Sequence, residues 1–188
     1  MLVNEQKELD HFLEDGLHKG CIIPSELPIA SPVFFIKKKN GQLHLVQDYH
    51  QLNDFMVKNC YLLPLALDII NCLQHAWLFN KFDVHWGYNN IHIKAGDEWK
   101  ALFTTNRGLF EPQVMYFGLT NSSVTFQTLM NTIFANLVAM GKVVVYLDDI
   151  LIYSSMLQQH HETTHYVLQC LATHNLYLWL EKCEFKQS

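Results

Sequence analysis

The stretch Val143–Tyr153 constrains the fold of this chain more than any other part of the sequence. Two adjacent acids, Asp148 and Asp149, interrupt an apolar run made mostly of β-branched and aromatic residues. Runs of this composition are typical of buried strands, and a two-residue break between two of them predicts a tight hairpin. The sequence therefore predicts a buried β-hairpin with the Asp148-Asp149 pair in its turn.

The acids at this turn have two explanations. Aspartate is common in turns, so the pair can consist of ordinary turn residues. Two neighbouring like charges, however, disfavour the ionised form, and the flanking runs are too apolar for a solvated loop. A bound cation removes the repulsion, and Mg²⁺ prefers carboxylate oxygens as ligands. The second explanation is therefore a divalent metal site at the tip of the hairpin.

A third acid, Asp83, ends another apolar strand, which is predicted over residues 77–84. If this strand pairs with the hairpin in one sheet, the three carboxylates converge at its edge. Such a group, without a zinc-type set of histidines and cysteines, favours Mg²⁺ or Mn²⁺. Two such ions about 3.5–4 Å apart suit phosphoryl transfer, since one activates an attacking hydroxyl and the other neutralises the leaving group. From spacing alone, the convergence stays a hypothesis.

The rest of the chain has the pattern of a mixed fold. Helical periodicity covers four segments, residues 4–18, 63–73, 121–141 and 156–174. Shorter strands are predicted over residues 33–38, 43–47, 91–93, 101–104 and 110–115. The turn Lys39-Asn40-Gly41-Gln42 closes the first two strands into a hairpin, and residues 48–53 are predicted to form a polar turn. This order of elements favours an α+β fold over a parallel βαβ sheet.

Composition narrows the class of protein. No apolar run reaches the ~18 residues of a transmembrane helix, and the acidic start of the chain does not resemble a secretory signal. Five scattered cysteines without a C-x-x-C pair predict a reduced, intracellular chain, in the cytoplasm or nucleus. The net charge of −5 argues against nucleic acid as a partner. Lys37-Lys38-Lys39 is a local exception, which fits either phosphate binding or a charge-protected edge strand.

Six blocks of sequence between about Leu17 and Phe185 carry a family resemblance. The blocks are, in order, Ala30-Ser31-Pro32-Val33 with Lys37-Lys38-Lys39, Gln47-Asp48-Tyr49-His50-Gln51-Leu52-Asn53, Lys81-Phe82-Asp83-Val84 with Gly87-Tyr88, Phe117-Gly118-Leu119-Thr120-Asn121 with Thr125-Phe126-Gln127, Tyr146-Leu147-Asp148-Asp149, and Glu181-Lys182-Cys183-Glu184-Phe185. With these blocks the chain resembles the reverse transcriptase domain of gypsy-type long-terminal-repeat retrotransposons and, more distantly, the retroviral enzymes. The Asp-Asp pair alone is a weak signal, whereas six blocks in the right order are highly specific.

The resemblance implies a right-hand polymerase fold made of fingers and palm, in which helices back an antiparallel palm sheet and the thumb is absent. Residues 1–80 would be mostly fingers, with an N-terminal helix. Residues 81–188 would be mostly palm, and residues 104–114 would lie near the junction of the two.

The resemblance also implies the residues of the site. The catalytic residues would be Asp83, Asp148 and Asp149. The ligands of two Mg²⁺ ions, for which Mn²⁺ can substitute, would be Asp83, Val84, Asp148 and Asp149. The nucleotide would be bound by Lys38, His44, Tyr88 and Phe117, and the primer and template would be contacted by Tyr146, Leu147 and Gln127. His44 and His50 stand where relatives usually carry arginine.

Two functions remain open on these observations. The first is an RNA-directed DNA polymerase from a retrotransposon polyprotein, which adds deoxynucleoside triphosphates to the 3′-hydroxyl of a primer on an RNA or DNA template, away from any membrane. The second is a weak or inactive relic of such an element that keeps the fold and serves as a nucleic-acid-binding module.

Overall fold

A computed structural model of the chain describes residues 2–38 and 41–187. Lys39 and Asn40, which belong to the lysine group and to the first predicted turn, lie outside the described residues. The helices are α1 (Val3–His18), α2 (His50–Phe55), α3 (Ala66–Leu73), α4 (Ser122–Ile133), α5 (Ala135–Ala139) and α6 (Leu157–Thr173). The strands are β1 (Ile22–Ser25), β2 (Val33–Lys37), β3 (Leu43–Gln47), β4 (Leu78–Asp83), β5 (Phe103–Thr105), β6 (Gly108–Pro112), β7 (Val143–Tyr146), β8 (Asp149–Ser154) and β9 (Glu184–Gln187). Short 3₁₀ turns cover Gly87–Asn90, Glu98–Ala101 and Leu180–Lys182.

The chain divides into two compact units, each assembled from two separate segments of sequence. The first unit contains the residues up to Lys58 together with Tyr88–Ser122. The second unit contains Asn59–Gly87 together with the residues from Ser123 onward. Both units combine helices with antiparallel strands, so the predicted α+β class is confirmed. The assignment of residues 1–80 to fingers and 81–188 to palm stays a prediction.

The first unit is built on a three-stranded sheet of order β1-β6-β5 and on the β2-β3 hairpin. Its core includes Leu9 and Leu13 from one face of α1, which pack with buried Phe103 and Phe110 of the sheet. The two leucines explain the helical periodicity of the first segment, because their face of α1 is buried and the rest of the helix is largely exposed. Buried Tyr49 donates a hydrogen bond of 2.9 Å to the Ala101 carbonyl. Arg107 forms a bidentate ion pair with Asp10, at 2.8 and 2.9 Å.

The second unit is built on a four-stranded antiparallel sheet of order β7-β8-β4-β9. Its central strands β8 and β4 are apolar because the side chains of Phe82, Ile150 and Ile152 are fully buried. Helix α6 packs against both central strands, and α4 contributes the buried side chains of Phe126 and Met130. The sheet therefore holds the ends of β4 and β8 in a fixed register, and the site described below lies at those ends.

Several predicted elements are confirmed. Strands β2 and β3 pair as the predicted first hairpin, and β7 and β8 pair as the second. The helix predicted over residues 121–141 is present but interrupted at Phe134, whose φ of −102° and ψ of 15° separate α4 from α5. Within residues 2–38 and 41–187, each helix falls short of the length and hydrophobicity that crossing a bilayer requires.

Three local predictions are wrong. The polar turn expected over residues 48–53 is largely helix α2, and the Asp48 carboxylate accepts the His50 N–H at 3.1 Å just before the first turn of this helix. The helix expected from Leu63 begins at Ala66, since the residue before Pro64 is disfavoured in helical conformation. The strand expected over residues 91–93 is reduced to a single bridge between His92 and Val114.

Candidate active site

Three predicted site residues meet at one end of the sheet in the second unit. Strands β4 and β8 pair antiparallel in a register that sets Asp83 directly opposite Asp149. The hairpin of β7 and β8 closes with the pair of Tyr146 and Asp149, so that Asp148 lies in the connecting turn. Antiparallel pairing thus brings together acids that are far apart in the sequence. The expected convergence of the strand ends that carry the three acids is observed, whereas the roles of these acids as catalytic residues and metal ligands stay predictions.

The turn of this hairpin differs by one residue from the predicted turn. Leu147 and Asp148 form it, and Asp149 is the first residue of β8, whereas the sequence pattern predicted Asp148 and Asp149. The reason lies in the neighbouring strand, because Asp149 completes the ladder opposite Asp83. Leu147 adopts a left-handed backbone with φ of 53°. That conformation costs an L-residue about 1–2 kcal/mol and therefore needs support from its surroundings.

Gln127 of α4 supplies that support. Its side chain is fully buried, and its Oε1 accepts the Leu147 N–H at 2.8 Å. Its Nε2 donates to the Val145 carbonyl at 3.0 Å and to Asn131 Oδ1 at 2.9 Å. One amide side chain thus satisfies two backbone groups on either side of Tyr146. The geometry gives Gln127 a role in holding the turn from inside the protein.

Asp148 is the most perturbed acid of the site. Its backbone carbonyl accepts the Val84 N–H at 2.8 Å. Its Oδ1 is buried, and no donor among residues 2–38 and 41–187 reaches that oxygen. Burial, followed by the negative charges of Asp83 and Asp149, raises the pKa of Asp148 to about 6, although Lys182 opposes the shift. A carboxylate oxygen that is buried without a donor is a site where a cation is favourable.

Lysines neutralise the other two acids. Lys81 Nζ lies 3.2 Å from Asp149 Oδ1. Lys182 Nζ lies 3.4 Å from each of the two carboxylate oxygens of Asp83. Two of the three carboxylates are therefore ion-paired, and the raised pKa of the third shows that its surroundings disfavour the ionised form.

The chemistry of this group fits a hard divalent cation. All three donors are carboxylates, which suit Mg²⁺ and Mn²⁺, and Asp148 offers the unpaired oxygen described above. In the part of the chain that the structure describes, however, no three histidine, cysteine or acidic side chains are arranged closely enough to hold one ion. The arrangement is that of carboxylates paired with lysines. Binding of a cation by all three acids requires the lysine ammonium groups to withdraw.

The segment after β4 lies close against Asp148. A Cβ added to Gly87 would lie 2.8 Å from Asp148 Oδ1 and 2.9 Å from the ring of Phe126. No larger residue fits at position 87 without displacing one of them. Val84, implied as a metal ligand, has a buried apolar side chain, so that only its backbone carbonyl is available to a metal ion.

Two of the residues implied in nucleotide binding meet in the first unit. The rings of Tyr88 and Phe117 form an edge-to-face pair with centroids 4.6 Å apart. Tyr88 is buried, whereas Phe117 is 50% exposed. Asn53 fixes the loop that carries Phe117, since it donates to the Gly118 carbonyl at 2.7 Å and accepts the Thr120 N–H at 2.8 Å. The loop thus holds an aromatic ring at the surface.

Lys38 and His44 lie on the β2-β3 hairpin of the same unit. The backbone N–H of Lys38 donates to the Gln42 carbonyl at 2.8 Å, across the turn of the hairpin. His44 is partly buried on β3. Burial and the nearby charge of Lys38 lower the pKa of His44, against a smaller opposing effect of Glu8. The imidazole is therefore neutral at pH 7, so this position lacks the permanent charge that an arginine would provide.

Sequence reasoning missed the two lysines of the site. The position of Lys81 near the acids could have been predicted, because it precedes Asp83 by two positions and side chains two apart lie on the same face of a strand. Lys182 had no local signal, since it is 99 residues from its partner Asp83.

Known proteins resemble this chain both in sequence and in fold. The sequence profile of the family described as "Reverse transcriptase (RNA-dependent DNA polymerase)" matches residues 36–188. The Tf2-3 and Tf2-7 transposon polyproteins of Schizosaccharomyces pombe are each 39% identical over 184 residues, which is 98% of this chain and 14% of theirs. The chain thus spans about a seventh of the length of these relatives.

Solved structures show the same fold. The foamy viral protease-reverse transcriptase in complex with an RNA/DNA hybrid matches with a TM-score of 0.89 at 18% identity, over 98% of this chain and 25% of that one. The dRH form in complex with double-stranded DNA matches with a TM-score of 0.90 at 19% identity, over 99% of this chain and 32% of that one. This likeness confirms the predicted fingers-and-palm fold. By its sequence profile, its retrotransposon relatives and its fold, the chain belongs to the reverse transcriptase family.

Proposed function

We propose that this chain is an RNA-directed DNA polymerase domain of a retrotransposon polyprotein, which adds deoxynucleoside triphosphates to the 3′-hydroxyl of a primer. The observation that carries the proposal is the meeting of Asp83, Asp148 and Asp149 at the ends of β4 and β8. The resemblance of the sequence blocks implies that these positions hold the catalytic acids of the family. Partners are proposed by analogy, since the solved neighbours are complexes with an RNA/DNA hybrid and with double-stranded DNA.

In this proposal the three carboxylates, with the backbone carbonyl of Val84, hold two Mg²⁺ ions. When bound, the ions activate the primer hydroxyl and neutralise the leaving pyrophosphate, and Mn²⁺ can take their place. The chain's own contribution is to fix the acids through the strand register and to hold at Asp148 a carboxylate whose negative charge is poorly compensated, so that a bound cation would stabilise it.

The remaining roles follow from the family match and the local geometry. Tyr88 excludes a 2′-hydroxyl, and the exposed ring of Phe117 packs against the nucleotide. Lys38 approaches the triphosphate. Tyr146, which is 42% exposed, and the backbone of Leu147 contact the primer, whereas Gln127 acts on the primer through the turn that it holds. The free cysteines support an intracellular site of action, in the cytoplasm or nucleus.

A second candidate is supported by His44. Its neutral imidazole cannot grip a triphosphate as an arginine does, which favours a domain that binds primer and template but extends primers poorly. Such a domain would retain the fold and bind nucleic acid, but its rate of primer extension would be low.

Primer extension distinguishes these candidates. The chain is incubated with a poly(rA) template, an oligo(dT) primer, dTTP and Mg²⁺ or Mn²⁺, and compared with Asp83→Asn and with the surface control Asp68→Asn. We expect extension by the unaltered chain, a loss of at least about a hundredfold in Asp83→Asn, and an unchanged rate in Asp68→Asn. Fluorescence anisotropy of the labelled primer–template measures binding in parallel.

Each outcome has one meaning. Binding without extension by the unaltered chain supports the non-catalytic candidate. Extension that survives Asp83→Asn contradicts the assignment of the site. Absence of both binding and extension contradicts both candidates.

A further inference from the structure

The ammonium group of Lys182 has two partners at the edge of the carboxylate group. Its Nζ lies 3.4 Å from Oδ1 and from Oδ2 of Asp83. The same atom lies 4.6 Å from the centroid of the Trp179 ring, within the range of a cation–π contact. Asp83 is largely buried, with a side chain 19% exposed, whereas the side chain of Lys182 is 55% exposed. The cation therefore reaches a buried acid from the solvent side.

Backbone hydrogen bonds fix the position of the Lys182 Cα relative to β4. The segment before it is bound to the end of β4, since the Trp179 N–H donates to the Asp83 carbonyl at 2.9 Å and the His85 N–H donates to the Tyr177 carbonyl at 2.7 Å. The Lys182 N–H then donates to the Trp179 carbonyl at 2.9 Å and closes a short turn. The Cα of Lys182 is thus held beside Asp83, while its exposed four-carbon side chain keeps its rotational freedom.

The ion pair itself is weak and replaceable. Charge-assisted hydrogen bonds between nitrogen and oxygen are typically about 2.7–2.9 Å long, whereas both distances from Lys182 to Asp83 are 3.4 Å. An ion pair with one solvent-exposed partner contributes little to stability. A divalent cation, with twice the charge and carboxylate-preferring chemistry, can displace such an ammonium. The ring of Trp179 remains as a second partner for the displaced group.

We propose that Lys182 is the counter-ion of Asp83 in the metal-free chain and competes with the divalent cation for this carboxylate. When the cation binds, the ammonium leaves Asp83 and stays on the face of Trp179. Lys182 therefore lowers the metal affinity of the site, and its positive charge balances the negative charge of the Asp83 carboxylate while no cation is bound. This inference rests on the proposed function, since it assumes that Asp83 is a metal ligand.

The test is a titration with Mn²⁺, in which electron paramagnetic resonance of the free ion gives the dissociation constant. The unaltered chain is compared with Lys182→Gln, Lys182→Arg and Lys100→Gln. Lys100 is a matched control, because its ammonium also pairs with an aspartate, Asp97, at 2.5 Å, and the substitution changes the net charge equally. Circular dichroism and thermal melting of each variant report whether it is folded.

We expect Lys182→Gln to bind Mn²⁺ about tenfold more tightly, because a unit positive charge a few ångströms from a divalent ion is removed. Lys182→Arg and Lys100→Gln should stay within about threefold of the unaltered chain, since the first keeps the competing charge and the second removes a charge that pairs with a different carboxylate, Asp97. Without metal, Lys182→Gln should melt at the same or a slightly lower temperature, and its melting temperature should rise more on addition of Mn²⁺. In the background of Asp83→Asn, the effect of Lys182→Gln should disappear.

The inference and the proposed function fail in different ways. Equal or weaker binding by Lys182→Gln, with binding still lost in Asp83→Asn, overturns the role of Lys182 and leaves the metal site in place. A gain in Lys182→Gln that persists in the Asp83→Asn background also overturns the inference, because the lysine then acts on another group. Lack of Mn²⁺ binding by both the unaltered chain and Lys182→Gln overturns the metal site together with the inference.

Discussion

At the scale of one residue, Asp148 is a carboxylate whose ionised form is disfavoured by its position in the fold. Burial and the neighbouring charges of Asp83 and Asp149 raise its pKa from 3.8 to about 6. Because the folded-state pKa lies above the unfolded one, folding takes up a proton between these two pH values. The free energy of unfolding therefore falls as the pH rises from about 4 to about 6, and stays at the lower value above this window. At neutral pH the ionised carboxylate destabilises the fold.

The substitution Asp148→Asn should therefore stabilise the chain at pH 7. A pKa difference of about 2 corresponds to at most about 3 kcal/mol, and partial exposure of the carboxylate to solvent reduces the expected gain to about 1 kcal/mol. The gain should shrink as the pH is lowered through about 6 and vanish below about 4, where aspartate is protonated in both states. Urea unfolding at pH 7, 5 and 3.5 measures it.

Asp97 provides a control of opposite sign. It is exposed, and its hydrogen bond with Lys100 lowers its pKa. Asp97→Asn therefore removes a stabilising interaction at neutral pH and should not stabilise the chain. A lower midpoint for Asp148→Asn than for the unaltered chain at pH 7 would contradict the account of Asp148 given above.

At the scale of the element, the β7-β8 hairpin depends on a helix that the sequence does not connect to it. Gln127 lies on α4, yet its amide satisfies the Val145 carbonyl and the Leu147 N–H. The left-handed φ of Leu147 is therefore stabilised from outside the hairpin. Residues held in this way often mark functional sites, where the surrounding structure fixes a conformation that the local sequence disfavours.

Replacing Gln127 with methionine should loosen this turn. Methionine fills a similar volume but leaves the Leu147 N–H and the Val145 carbonyl without their partner, and each unsatisfied buried group costs about 1–3 kcal/mol. We expect Gln127→Met to lose about 2–4 kcal/mol of unfolding free energy in urea, and the amide of Leu147 to exchange faster with deuterium. Gln158→Met is the matched control, because Gln158 is exposed on α6 and its amide donates to the exposed Glu162 side chain at 3.0 Å.

A Gln158→Met loss as large as that of Gln127→Met would show that methionine, and not the missing turn bonds, is responsible. An unchanged exchange rate at Leu147 in a destabilised Gln127→Met variant would place the lost energy elsewhere in the core and contradict the role in the turn.

The same hairpin shows how far sequence reasoning reaches. The hairpin itself was predictable, because apolar β-branched runs on both sides of a two-residue break are typical of paired buried strands. Its turn was displaced by one residue, because the register is fixed by the pairing of Asp149 with Asp83 on another strand. The partner of Lys182 escaped prediction for the same reason, since Asp83 is 99 residues away in the sequence. The acids were found because they end apolar strands, and the lysines that pair with them were not.

At the scale of the whole molecule, neither unit is continuous in sequence. The first unit needs β1 from the first segment and its neighbour β6 from Tyr88–Ser122, as the register of Ile22 with Pro112 shows. The second unit needs β4 from Asn59–Gly87 and its neighbour β8 from the later segment. Cutting the chain between Gly87 and Tyr88 therefore leaves both sheets incomplete on each side of the cut.

A fragment of residues 1–87 should accordingly fail to fold alone. It contains β1 and β4 but lacks β6 and β8, the strands with which they pair, so their backbone groups and apolar faces have no partner. We expect no cooperative urea transition for this fragment or for residues 88–188, as measured by circular dichroism and tryptophan fluorescence. Mixing the two fragments should restore a transition, because each unit then has both of its segments. A fragment of residues 1–87 that unfolds cooperatively at the midpoint of the full chain would contradict this account, since one of the two sheets would then be stable without its neighbouring strand.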